Sequence, residues 1–262
     1  MRYFFTSIVV FSLLFVSACT NEKPNSHSQL QKKSQNQKTH ENPQSSQKDL
    51  HNIEKMNVSK NRNAVKTVAQ PSAVNVLVNK KYFLPKNYVP KDLVYPTVSF
   101  IFKEKIEKRK MRKEAALALN KLFSGAKKDK IYLGGVSAYR SYVTQKAVFN
   151  RYVKEDGYDN ARKYSALPGS SEHQTGLAID VSSSTGKCAA QSCFANTKEA
   201  KWLQSKSTNY GFIIRYPKGK ESITGYKYEP WHIRYVGVSL AKQMKKRNIT
   251  LEEYYNVYPV SK

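Results

Sequence analysis

The sequence predicts an α+β domain behind a long polar N-terminal segment. Two observations carry this expectation. Segments with helical spacing and segments with strand alternation follow one another without a strand–helix–strand rhythm. The large apolar residues that both kinds of segment need for a core are scarce between Thr20 and Gln70 and frequent afterwards. The remaining chain of about 190 residues suffices for one domain with a substantial core.

Taken in order, Lys103–Phe123 reads as a helix with Ile106, Ala115, Leu119, Leu122 and Phe123 on one stripe and Gly125 as its stop. Ile131–Ala138 reads as a strand. Thr144–Lys154 is a second helix that turns Val148, Phe149 and Tyr152 inward, and Asp159–Tyr164 a shorter one. In Leu177–Ser182, Leu177, Ile179 and Val181 alternate with Ala178, Asp180 and Ser182, a strand with Asp180 on its less apolar face. Thr197–Ser205 is a helix that carries Trp202, and Gly211–Tyr216 and Trp231–Val236 are strands. Thr250 followed by Glu253 forms a capping box that opens a last short helix.

The ends and the charge constrain where such a domain works. Residues 1–18 read as an export signal, with Arg2 at the start and a mostly apolar run from Tyr3 to Val16. Val16-Ser17-Ala18-Cys19 resembles a bacterial lipobox, so Cys19 is the expected lipidation site and the run is short for a spanning helix of ~20 residues. Residues 19–71 then form a disordered, lipid-anchored tether, and residues 72–262 the folded domain, extracytoplasmic and held to the bacterial membrane. Lys and Arg number 45 against 19 acidic residues, a net charge of +26. Export turns the reading of that charge away from nucleic acid and towards anionic lipid headgroups and wall polymers, or simply a solvated surface. Apart from Cys19, Cys188 and Cys193 are an even pair in a polar loop, expected as a local disulfide ahead of free thiols.

The chemistry gathers in two motifs: S-E-H-Q-T-G-L-A-I-D with His173 and Asp180, and E-P-W-H with Glu229 and His232. The other three histidines, His27, His40 and His51, lie in the tether. A catalytic zinc takes three protein ligands, keeps a place for water, and needs an acid/base group outside its ligand set. His173, Asp180 and His232 are the expected ligands and Glu229 the base; a structural polar cluster or an inactive enzyme is the alternative. His173 precedes Asp180 by an odd offset, so Gln174–Gly176 must bend for both to face one ion, and Gly176 permits that bend. Pro230 prevents a plain central strand at Glu229.

At these residues the chain resembles the VanY-type D-alanyl-D-alanine carboxypeptidases, a zinc peptidase family that includes LdcB-like L,D-carboxypeptidases. The pattern S-x-H-x-x-G-x-A-x-D is met by Ser171, His173, Gly176, Ala178 and Asp180, and E-x-W-H by Glu229, Trp231 and His232. The likeness extends to Val136–Gln145, Val78–Val94, Arg234–Gly237 and Thr250–Tyr254. It implies a small antiparallel sheet flanked by helices, one Zn2+ per chain, and peptidoglycan stem peptides as substrate. It also places Arg140 in the substrate pocket, where a guanidinium can grip a terminal carboxylate or a polarised carbonyl. Ser141, Gln145 and Ser171 are further substrate contacts by this reading, or alternatively a helix cap, a solvated amide and a turn residue. Trp231 is expected to pack and orient His232.

The implied reaction removes C-terminal D-alanine, with D-Ala-D-Ala ends favoured over tetrapeptide (L,D) ends. A wall endopeptidase is the alternative on the same scaffold, and a noncatalytic wall-binding lipoprotein comes third.

Overall fold

A computed structural model of the chain describes residues 65–257. The export signal, Cys19 and most of the expected tether lie outside the described residues. No helix among the described residues is long and apolar enough to cross a membrane.

The architecture is α+β. In chain order it contains β1 (Lys66–Thr67), β2 (Tyr82–Phe83), β3 (Leu93–Val94), β4 (Met111–Arg112), α1 (Lys113–Lys128), β5 (Leu133–Ser137), α2 (Tyr142–Asp156) and α3 (Tyr158–Tyr164). These are followed by β6 (Ala178–Ser183), α4 (Lys198–Lys206), β7 (Phe212–Ile214), α5 (Glu221–Thr224), β8 (His232–Tyr235), α6 (Val238–Arg247) and α7 (Leu251–Tyr254). The main sheet has the order β5-β6-β8-β7 and is antiparallel throughout.

Register decides which residues share a face. Ser137 pairs with Asp180 and Asp180 with His232, so three adjacent strands carry these side chains in a row across one face. The opposite face presents Ile179, Val181, Ile233 and Phe212 to a core shared with Leu119 and Leu122 of α1 and Trp202 and Leu203 of α4. Both faces of β6 are buried, which the alternating pattern of that segment did not foretell. Asp180 and Ser182 point to a polar layer that is itself covered.

Two expectations need correction. The helix expected over Lys103–Phe123 begins ten residues later, at Lys113, and runs through Gly125. Residues 103–110 carry seven charges around Ile106, which is 46% exposed, so there is no apolar stripe to hold a helix there. Their backbone is used otherwise: the carbonyls of Lys108 and Lys110 accept from Ala138 N and Tyr139 N, extending the edge next to β5. Gly125 is a close-packing position, because a Cβ there would lie 1.8 Å from Tyr210 Oη.

The second correction concerns the domain boundary. Lys66 and Thr67, assigned to the tether by composition, pair in parallel with Tyr82 and Phe83, and the Ser72 carbonyl accepts from Arg112 Nη1. Two-residue strands leave no periodicity to read. Elsewhere the expected elements shift only at their ends. The Thr250–Glu253 capping box is present, and Phe149 is the deepest of the three side chains expected to face inward from α2.

Candidate active site

The S-E-H-Q-T-G segment is a 3-10 turn, Glu172–Thr175, ending at Gly176 in the left-handed conformation (φ 67°). That glycine supplies the required bend. Its carbonyl accepts from Arg112 N, and a Cβ would come within 2.9 Å of Leu93. The turn lays His173 over the end of β6, so the odd offset to Asp180 is absorbed. In the second motif, Glu229 N donates to the Tyr216 carbonyl and His232 N to the Glu229 carbonyl, a turn that delivers His232 into the first position of β8. Trp231 is half-buried against the core.

The three side chains converge. His173 Nε2 lies 3.3 Å from Asp180 Oδ2, and His232 Nδ1 lies 3.0 Å from Asp180 Oδ1. The two imidazoles stand almost perpendicular, 4.9 Å apart at their centroids. Among the described residues this is the one group of three whose ligand atoms all fall within 4.8 Å of one another. Tetrahedral zinc with bonds of about 2.0–2.1 Å separates neighbouring donors by roughly 3.3 Å, close to the two histidine–aspartate spacings. Two imidazole nitrogens and a carboxylate are also a donor set suited to zinc.

The His173 ring is fixed by the nitrogen that faces away from this point. His173 Nδ1 is 2.7 Å from the Ala138 carbonyl, which can only accept, so Nδ1 carries the proton and Nε2 is available as a ligand. Burial lowers the His173 pKa, with the Arg140 and His232 charges adding to it and Asp180 opposing, which keeps the imidazole neutral. For His232 burial works against charge, but Asp180 and Glu172 outweigh it and raise the pKa to about 9. Asp180 is held far below the usual carboxylate range, because the two histidines overcome the cost of its burial.

Glu229 stands apart from this set, with Oε2 3.9 Å from His232 Nδ1. Burial is the main reason its pKa rises to about 7, reinforced by Asp180 and Glu172 and opposed by His232 and Arg140. A carboxyl poised there can both accept and return a proton near neutral pH.

Arg140 follows β5, and its backbone N–H donates to the His173 carbonyl. Its guanidinium donates to Gln145 Oε1 (2.9 Å) and Ser137 Oγ (3.1 Å), leaving three of its five N–H donors for an incoming anion. Gln145, expected as a substrate contact or a solvated amide, is 1% exposed. Its amide oxygen accepts from Arg140 and its amide nitrogen donates to the Ala166 carbonyl, so it braces the arginine. Ser141 caps α2, accepting from Thr144 N. Ser171 is buried beside the turn without capping it. Cys188 and Cys193 are joined by a disulfide, with Cα atoms 5.6 Å apart.

One participant escaped the sequence reading. Glu172, immediately before His173, is completely buried and accepts from Arg215 Nε and Arg234 Nη1, each at 2.7 Å. Its other oxygen lies 3.5 Å from His232 Nε2. Burial opposes its charge, yet the two guanidiniums hold its carboxyl well below the usual range. The signal available in sequence was an acidic residue inside the ligand motif and two arginines in otherwise apolar strands.

Comparison with known proteins decides the family. The VanY D-alanyl-D-alanine carboxypeptidase model matches residues 108–238. The chain belongs to that family. YodJ of Bacillus subtilis (strain 168) is 51% identical over 191 residues, 73% of this chain and 70% of that protein. The solved LdcB LD-carboxypeptidase is 50% identical and superposes with a TM-score of 0.71 over 74% of this chain and 91% of its own. A mutant of the vancomycin-resistance D,D-pentapeptidase VanY, solved in complex with Zn(II), is 30% identical with a TM-score of 0.58, covering 70% and 99%. This VanY-family chain is therefore a peptidase of the carboxypeptidase class.

Proposed function

We propose that this chain is a zinc-dependent carboxypeptidase that releases the C-terminal D-alanine of peptidoglycan stem peptides, with tetrapeptide (L,D) ends as its preferred substrate. The observation that carries the reading is the convergence of His173 Nε2, Asp180 and His232 Nδ1 beside a buried Glu229 whose pKa is about 7. His173, Asp180 and His232 would hold the zinc. Bound there, zinc would act as a Lewis acid and make water nucleophilic near neutral pH. Glu229 takes a proton from the attacking water and returns it to the departing amine of D-alanine. Arg140, oriented by Gln145 and Ser137, pairs with the terminal carboxylate of the peptide and so restricts cleavage to the last bond.

The preference for tetrapeptides is supported by relatedness: the LD-carboxypeptidase is 50% identical to this chain over the aligned residues, whereas relatives named for D-Ala-D-Ala cleavage are 36–37% identical. The D,D reading stands second, supported by the family description. Mass spectrometry of purified muropeptides incubated with the zinc-loaded chain separates them. Loss of one alanine from tetrapeptides, abolished by a chelator, is the expected result. Loss of alanine from pentapeptides alone would favour D,D cleavage, and internal fragments from either would contradict an exopeptidase.

Export and lipidation at Cys19 belong to the same proposal and are supported by the sequence motif around that residue. A lipid anchor followed by a polar tether, on a chain of net charge +26, suits an enzyme working among anionic wall polymers. Metabolic labelling with a fatty-acid analogue, present in the wild type and lost in Cys19→Ala, is the test.

A further inference from the structure

Behind the candidate metal site lies a closed ionic cluster that the reaction itself does not use. Arg215 donates through Nε to Glu172 and through Nη1 and Nη2 to both oxygens of Glu252, at 2.9 and 2.6 Å. Arg234 donates to Glu172 through Nη1, to the Tyr235 carbonyl through Nε, and to the Val74 and Val76 carbonyls through Nη2. Asn79 Nδ2 completes the set by donating to Glu252 Oε1. All four charged side chains are fully buried and their formal charges cancel.

Within this dense network two atoms are left over. Glu172 Oε2 and His232 Nε2 are both buried without a hydrogen-bond partner, and they face each other at 3.5 Å. On the far side of the ring, His232 Nδ1 faces Asp180. Tyr216 packs against the same imidazole with its ring tilted by 37°, 5.0 Å between centroids, so the ring has a neighbour on its face as well as at its rim.

We propose that Glu172 is a positioning residue: it takes the Nε2–H of His232 and thereby presents Nδ1 to the metal, while Arg215, Arg234 and Glu252 fix Glu172 in place. The inference rests on the zinc reading above. A carboxylate behind a ligating histidine sets its tautomer and raises its basicity, and loss of such a partner typically weakens metal binding about 10–100-fold. The arrangement also ties the metal site to α7, because Glu252 on that helix neutralises Arg215, 37 residues earlier.

The test is zinc affinity by competition with a fluorescent chelator, together with the visible spectrum of the Co2+ form, for the full chain and its Glu172→Gln variant. Weakening of about 10–100-fold with an altered Co2+ spectrum is expected. Glu252→Gln, which leaves His232 untouched, should shift both readouts in the same direction but less. Zinc affinity within twofold of wild type and an unchanged Co2+ spectrum in Glu172→Gln would overturn the positioning role while leaving the zinc site standing. A wild-type chain that binds no zinc would instead overturn the functional reading on which this one rests. Should Glu172→Gln fail to fold, 15N NMR of the zinc-loaded wild type decides. His232 bound through Nδ1 with a proton on Nε2, and His173 the reverse, supports the proposal; His232 bound through Nε2 sinks it.

Discussion

His173 and His232 face one point from regions built on different physics. His173 rides on a tight turn closed by a left-handed glycine, and its outer nitrogen meets an uncharged backbone carbonyl of the chain after β5. His232 opens a central strand, and its outer nitrogen meets a carboxylate held by two buried arginines. The first support is a main-chain carbonyl and cannot be removed by changing a side chain. The second is assembled from residues 79, 172, 215, 234 and 252, and can be taken apart one group at a time. Asp180 pairs with both rings, because strand register sets it opposite His232 and the turn folds His173 back onto it.

That asymmetry ranks the expected effects. Asp180→Ala removes the group common to both halves, so zinc content by elemental analysis should fall from one per chain to near zero and turnover should vanish. Retention of stoichiometric zinc would show that the two histidines suffice. Glu229→Ala leaves both halves intact: zinc stays at one per chain, while kcat drops by about 10²–10⁴, the usual contribution of a positioned proton carrier. Normal turnover in that variant would remove Glu229 from the reaction.

Effects of pH come next. Glu229 works as an acceptor only when ionised, and burial sets its pKa at about 7. A dication beside it would favour the carboxylate, so kcat/KM should rise with pH along an acid limb centred at or below about 7. An acid limb centred well above that value would contradict the assignment. The smallest effect belongs to a region remote from either histidine in the chain's logic, the Cys188–Cys193 loop. Closing so short a loop contributes about 2 kcal/mol by chain entropy. Replacing both cysteines by serine should therefore lower the denaturation midpoint modestly and leave kcat/KM unchanged.

The two halves also differ in how far they could be read from sequence. The ligand motifs are short and local, and the demand for a bend at Gln174–Gly176 follows from side-chain alternation alone, so the grouping of His173, Asp180 and His232 with Glu229 beside them was legible. The network behind His232 was not. Its members are 43, 62 and 37 positions apart, and charged residues are expected at the surface unless a partner is known. Gln145 was misplaced for the same reason, since only the fold shows that its amide is sandwiched between Arg140 and the Ala166 carbonyl. The false helix start at Lys103 has a different origin. Charged residues have good helix propensity, but without an apolar face, tertiary pairing of the Lys108 and Lys110 carbonyls with the chain beyond β5 prevails.

Anomalous diffraction at the zinc edge from crystals of the zinc-loaded chain tests the central claim most directly. One peak within bonding distance of His173 Nε2, an Asp180 oxygen and His232 Nδ1, with Glu229 outside its coordination sphere, is the predicted result. A peak elsewhere, or none at this point with zinc in excess, would contradict the account.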